Sequence, residues 1–230
     1  MTVVWRILGR ALPASGFAFA AVVVTLGAIH RLAEGGAVSE QLRAAPLVLN
    51  AFLWCGFAAL AVVRHEPVRH GLRTPGALLF VLASVSAGLV VPPAARAEVP
   101  LPQLIASSAV SLAAILLALG SLGRLGRCFG VLPDARGVVT GGPYRIVRHP
   151  LYLGEVGGIV GVVIAAPAPR NWLALALIVA AQLGRARLEE RTLRAAFPAY
   201  AEYAARTPML IPLRRPRRLS ADGRAPAAPA

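Results

Sequence analysis

Two short stretches gather the side chains in this chain that could do chemistry. The first, "GGPYRIVRHPLYLGE" over residues 141–155, brings Tyr144, Arg145, Arg148, His149, Tyr152 and Glu155 together between apolar runs. The second, "RARLEERTL" over residues 185–193, adds Arg185, Glu189 and Glu190. Aromatic faces attract cations, arginine and histidine donate hydrogen bonds, and carboxylates accept them, so the set can hold a polar ligand from several sides. Arg185 and Glu189 are four residues apart and share one face of a helix. Pro150 discourages helical geometry at His149 and can itself open a helix, which leaves the preceding loop free to wrap around a ligand.

Taken singly, these residues have plainer roles. Arg185 and Glu189 fit an ordinary i,i+4 pair on a solvated helix, contributing about 0.2–0.5 kcal/mol. Tyr144 and Tyr152 fit an interfacial aromatic belt, and His149 fits an interfacial polar position. Glu155 lies one turn into an apolar run, where an ionisable group either marks function or sits favourably on the helix dipole. Gly157 and Gly161 form a GxxxG step suited to close helix packing, not to a nucleotide loop.

The elements that position these residues are membrane helices. The chain has 230 residues, is 57% hydrophobic and has a mean hydropathy of +0.66, above the usual range for a soluble domain. Apolar runs over residues 14–30, 46–63, 76–91, 103–122, 151–166 and 171–184 have almost no polar face to meet water. Several fall short of the roughly 20 residues of a full span, so tilt or local thinning must complete them. The N-terminal run has the basic start of a signal peptide, but the spans that follow it argue for a retained first helix. The expected fold is therefore all-α: a polytopic bundle of five to six transmembrane helices. A C-terminal helical hairpin is joined at "APAPRN", and its second helix continues out of the membrane as far as Pro198. Residues 1–122 form the N-terminal helices, 123–213 the loop, hairpin and emergent helix, and 214–230 a disordered basic tail.

A net charge of +14 and a pI near 11.6 could suggest nucleic acid, but the basic residues lie in short loops and in the tail, not along one polar face. They read as topology signals, and membrane lipids are the expected partner. Every Lys or Arg position is arginine, which weakens any argument from guanidinium geometry at a single site. Arg6 and Arg10, then Arg64, Arg69 and Arg73, then Arg124, Arg127, Arg136, Arg145 and Arg148 fall on alternate sides from the arginine-poor loops. Those loops hold Arg31 and Arg43 with Glu34 and Glu40, Arg96 with Glu98, and Arg170. The alternation puts both termini and the 141–155 loop in the cytoplasm, in what composition hints is a bacterial inner membrane. Cys55 and Cys128 are expected at different levels and not in a disulfide, and no Cys or His spacing suggests a metal site. His30, His65 and His70 lie at span ends or in loops.

Three blocks, "VVTGGPYRIVRHPLYLG" (138–154), "RARLEERTL" (185–193) and "FPAYAEYAARTPMLIP" (197–212), follow one another at a characteristic separation. In these blocks the chain resembles the isoprenylcysteine carboxyl methyltransferases and their bacterial integral-membrane relatives. The resemblance covers nearly all of the C-terminal half; the N-terminal half matches only as generic membrane helices. It implies a methyltransferase that uses S-adenosyl-L-methionine in an all-helical membrane fold, and no strand with a Gly-rich turn and helix contradicts that. It also implies that the cofactor is held by Arg136, Gly137, Val138, Val139, Tyr144, His149, Pro150, Leu151 and Tyr152, with Glu189 from the emergent helix. Arg185 matches the position that holds the substrate's carboxylate, and Arg185, Glu189 and His149 are the catalytic candidates. Arg148, Gly154 and Glu190 complete the motifs without an assigned contact.

Methyl transfer from a sulfonium to a carboxylate destroys charge, so a water-poor pocket favours it. Such an acceptor needs positioning and no general base. An amine or thiol acceptor would need one, with His149 or Tyr152 as candidates. A lipophilic substrate entering from the bilayer is expected, whether a lipid or isoprenoid acid, a phospholipid amine or a thiol. Related membrane reductases that use NADPH, and a non-catalytic scaffold or small transporter, are the competing classes. Sequence sets no oligomeric state.

Overall fold

The computed structural model describes residues 3–33, 38–71 and 99–211. Six α-helices lie among these residues: α1 (Val3–Ala33), α2 (Val38–Val63), α3 (Leu101–Leu125), α4 (Pro150–Ala165), α5 (Pro169–Ala196) and α6 (Tyr200–Arg206). Short 3-10 turns at Gly126–Cys128 and Gly142–Arg145 punctuate the loop between α3 and α4. Among the described residues there is no strand, only an isolated antiparallel bridge between Arg69 and Ala135. The span expected over residues 76–91 and the basic tail lie outside the described residues.

Proline marks several helix starts because the first turn has no use for its missing N–H. Pro102, Pro150 and Pro169 all stand there in α3, α4 and α5. His149, just before α4, has φ −126° and ψ 59°, outside helical geometry as the following proline requires. The α4–α5 turn is closed by Asn171, whose Nδ2 donates to the Ala166 carbonyl at 2.7 Å. Helix α5 then runs to Ala196 without a break at Gly184, as the sequence pattern indicates.

Arg10 of α1 donates to the carbonyls of Val62 and Arg64 and pairs with Glu66 at 2.8 Å, so α1 begins where α2 ends. Phe17, Trp54, Phe57 and Phe129 pack ring on ring at this end. Helices α2 and α3 run parallel: Ser108 Oγ donates to the Leu42 carbonyl near their starts, and the His65 amide donates to Arg127 O near their ends. Helix α4 returns antiparallel along α3 at very close range. A Cβ on Gly154 would fall 2.7 Å from the Ala114 carbonyl, one on Gly157 2.8 Å from the Ala114 Cβ, and one on Gly161 3.1 Å from the Ser107 carbonyl. The GxxxG step is therefore a packing surface, extended by Gly154 into a three-glycine seam.

Among the described residues three stretches, Arg10–Ala33, Val38–Val63 and Leu101–Cys128, are long and apolar enough to cross a membrane, and Pro150–Ala165 is a shorter apolar helix. Large apolar side chains are exposed on the three long helices and on α5, among them Phe19, Leu26, Phe52, Leu116, Trp172 and Leu173. In water such a surface would be costly; in a bilayer it is the lipid-facing wall. The molecule is a helical membrane bundle.

Candidate active site

The starts of α1 and α4 and the ends of α2, α3 and α5 converge on one face of the bundle. The segment after α2 braces the loop there: Val68 and Ala135 are joined backbone to backbone at 2.8 Å, and the Gly71 amide donates to Asp134 Oδ1 at 2.9 Å. Arg136 donates through Nη2 to Asp134 at 3.0 Å and through Nε to the His65 carbonyl at 3.0 Å. Gly142 has φ +62°, which a side chain would strain, and a Cβ there would meet the Arg124 side chain at 3.0 Å.

Tyr152 is the centre of the site. Its hydroxyl donates to Glu189 Oε2 at 2.7 Å, linking α4 to the emergent part of α5. The His149 ring stacks on it with centroids 5.3 Å apart and planes within 7°. The Arg185 guanidinium lies 5.0 Å from the Tyr152 ring centroid and donates from Nη2 to the Gly130 carbonyl at 3.1 Å. Arg185 and Glu189 are thus not partners in an i,i+4 ion pair; each addresses Tyr152 from a different direction.

Behind this layer lies a buried ionic hub. Glu190 accepts from Arg148 Nε at 2.6 Å and from Arg194 at 2.7 Å, and it lies 3.3 Å from His149 Nε2. Burial pushes the Glu190 carboxyl up, but hydrogen bonds from His149 and Arg148, together with their charges, outweigh it and hold the group down to about 2. Arg148 also donates to the carbonyls of Ala204 and Thr207, and the amides of Arg148 and His149 donate to Pro208 and Met209 at 2.9 and 3.1 Å. The segment after α6 is thereby strapped to the "RHP" turn. Tyr203 donates to the Tyr144 carbonyl at 2.6 Å, and burial pushes its own phenol up to about 12. Burial first, then the Glu189 charge, pushes the Tyr144 phenol up as well, so both rings stay neutral at cellular pH.

Two adjoining clefts open among these residues, with about 360 and 330 Å³ of empty space counted to their mouths. They share a wall of Leu125, Tyr144, Arg148, His149 and Glu189. The first adds Leu151, Tyr152 and Arg185; the second adds Gly137, Val138 and Val139. All of these except Leu125 and Arg148 are site candidates by the sequence resemblance, which gives Arg148 no contact. Arg136 and Pro150 stand behind the walls: the first is turned to Asp134, and the second is fully buried. Phe129, Gly130, Leu193, Tyr200 and Tyr203 also line the clefts and were missed. The three-residue spacing of Tyr200 and Tyr203 on one helical face was the available signal. Cys55 and Cys128 are free thiols. Among the described residues no group of three or more His, Cys, Asp or Glu side chains could hold a metal ion.

The bundle of membrane helices thus carries a polar, aromatic cleft at one end, built from an "RHP" turn and a glutamate-bearing helix. Residues 102–199 match the family model for phospholipid methyltransferases, which supports the membrane methyltransferase resemblance of the motifs in this region. The match takes in α3, the loop and the whole hairpin, which is under half of the chain. The chain is also similar to the cobalt-zinc-cadmium resistance protein CzcN of Cupriavidus metallidurans, 38% identical over 107 residues, or 43% of this chain. The similarity spans 50% of that relative's length.

Proposed function

We propose that the chain is an integral-membrane methyltransferase that uses S-adenosyl-L-methionine and acts on the polar head of a lipophilic acceptor. The observation that carries this reading is the Tyr152–Glu189 bond across the hairpin with the His149 stack beside it, while Gly137, Val138 and Val139 line the adjoining cleft that His149 and Glu189 share. A sulfonium-bearing nucleoside needs aromatic faces, carboxylate acceptors and backbone donors at once. Tyr152, His149, Glu189, Tyr144 and the 137–139 loop supply them around the two adjoining clefts. Arg136 and Pro150 would support the loop from behind.

When bound, S-adenosyl-L-methionine would supply an electrophilic methyl group on sulfur. The chain's residues hold, orient and exclude water: Phe129, Leu125 and Leu151 line the cleft with apolar surface, and Glu189 is fixed by Tyr152. Two acceptor chemistries are compatible with the site. A carboxylate, as the resemblance implies, would be anchored by Arg185, which keeps a buried Nε–H without a partner. An amine is favoured by the phospholipid methyltransferase match. The metal resistance in the relative's name finds no ligand group among the described residues.

Titrating the purified chain with S-adenosylhomocysteine and with NADPH tests the class. Saturable binding of S-adenosylhomocysteine, lost in Glu189→Ala and His149→Ala while both remain folded, is expected. Binding of NADPH alone would make the chain a reductase, and unchanged binding in both variants would remove the site. Labelled-methyl transfer to a lipid extract of the native host, followed by mass identification of the product, would identify the acceptor.

A further inference from the structure

The clefts take up only the inward face of α5, and the outward face has a pattern of its own. Leu173, Leu177, Ala180, Arg187, Arg191 and Arg194 follow one stripe at helical spacing, and all six are exposed. The stripe is apolar as far as Ala180 and cationic from Arg187. Arg187 stands about 27 Å along the helix axis from Pro169 at the start of α5, close to the roughly 30 Å thickness of a hydrocarbon core. The change of chemistry therefore falls where acyl chains give way to phosphates.

The cations on this stripe are short of counterions. Arg194 donates to Glu190 at 2.7 Å, but that carboxylate is already shared with Arg148 and His149. Glu189, the neighbouring acid, faces inward and takes the Tyr152 hydroxyl. Arg187 and Arg191 have no ion pair or hydrogen bond from their side chains among the described residues. They lie four residues apart, a spacing at which like charges destabilise a helix. Arg69, beyond α2, brings a further guanidinium to the same end, where it donates to the Ala195 carbonyl at 3.3 Å.

An acidic protein or a nucleic acid would answer the charge alone. The apolar part of the stripe, with Leu173 and Leu177 61% and 55% exposed, calls for hydrocarbon in line with the anion. An anionic phospholipid supplies both in one molecule.

We propose that the outward face of α5 is a docking site for an anionic phospholipid, its acyl chain along the stretch from Leu173 to Ala180 and its phosphate between Arg187 and Arg191. Arg185 and Glu189 line the clefts from the opposite side of the same helix, so the lipid held here is not the methyl acceptor, and the proposal stands apart from the methyltransferase reading. Its consequence is positional. A phosphate between Arg187 and Arg191 relieves their repulsion in the turn that carries Glu189 and Glu190, and so steadies the emergent half of α5.

The test is native mass spectrometry of the full chain with phosphatidylglycerol and phosphatidylcholine of identical acyl chains. Phosphatidylglycerol is expected to bind about tenfold tighter than phosphatidylcholine, and Arg187→Gln combined with Arg191→Gln to abolish that margin. Arg217→Gln combined with Arg218→Gln removes the same charge from the tail and should leave the margin intact. Equal affinity for the two lipids in the unaltered chain overturns the proposal, as does an undiminished margin in the Arg187/Arg191 variant. An equal loss in the tail variant overturns it too, because bulk charge would then suffice. If the double variant does not fold, Arg191→Gln alone is expected to lose about threefold, and an unchanged margin there overturns the proposal equally. Millimolar sn-glycerol 3-phosphate should fail to displace the bound lipid; full displacement would make the ligand a free phosphate and refute the dock. The thermal midpoint in detergent gives a second reading: phosphatidylglycerol should raise it in the unaltered chain but not in the Arg187/Arg191 variant, and an equal rise in both counts against the site.

Discussion

Glu190 serves three partners at once. It accepts from Arg148 and Arg194 and faces His149, while the Arg148 guanidinium also reaches two carbonyls beyond α6. Removing one member of a buried, hydrogen-bonded charge group leaves the others uncompensated, at a cost of about 3–5 kcal/mol. Glu190→Gln should therefore destabilise the chain by about 3 kcal/mol, read as a lowered thermal midpoint in detergent, and should loosen the His149 ring that stacks on Tyr152. The same carboxyl fixes a pH dependence. Its folded value near 2 lies below its ordinary 4.5, so its stabilisation is fully present above about 4.5 and fades as pH falls toward about 2. The thermal midpoint of the unaltered chain should drop over that window, and Glu190→Gln should flatten the drop; a parallel decline in both would assign acid sensitivity elsewhere. Sequence spacing could put Glu189 and Arg185 on one helical face, but it gave no reason to give Glu190 or Arg148 a contact. Their partnership crosses 42 residues of chain and depends on how the hairpin closes. At Glu189 the reverse holds: the motif marked the residue, and only the folded hairpin supplied Tyr152 as its partner.

Helix α4 can lie so close to α3 because it meets it with glycines. That contact sets the depth of the "RHP" turn and so the floor of the cleft. Gly154→Ala would drive a methyl group to 2.7 Å from the Ala114 carbonyl and 2.8 Å from the Ala118 Cβ, where backbone has to move. Overpacking of this kind costs about 1–3 kcal/mol, and because Gly154 lies two residues from Tyr152 the shift should also weaken S-adenosylhomocysteine binding several-fold. Gly158→Ala, with nothing within 4 Å of its added Cβ, is the matched control and should leave both readings unchanged. The helices themselves were legible in sequence: proline punctuation and apolar run length gave the hairpin and the uninterrupted emergent helix. Their exact mates were not, since a small-residue step says that something packs closely but not which helix does so. The loop residues Phe129 and Gly130 were illegible for a similar reason: they reach the cleft only because the 3-10 turn after α3 folds the chain back beneath Arg185.

Across the whole molecule, the described arginines that sequence assigned to the inner side collect at one end. Arg10 reaches Glu66 and the end of α2, Arg127 donates to the Val63 carbonyl, Arg136 to the His65 carbonyl, and Arg148 anchors the strap beside the cleft. Arg31 and Arg43 pair with Glu40 at the opposite end of the α1–α2 hairpin. The arginine-rich face and the cleft face are thus the same face, and the excess of arginine on it carries the orientation signal. The proposed cofactor, made in the cytoplasm and soluble, could reach the cleft only if that face is the cytoplasmic one. A reporter active only in the cytoplasm should therefore be active when fused after Ala230 and silent when inserted near Glu98, with an export-dependent reporter giving the opposite pattern. The reversed pattern would put His149, Tyr152 and Glu189 on the side without cofactor. It would refute the proposed enzyme even with every contact in the hairpin intact, because the physical requirement at this scale is access.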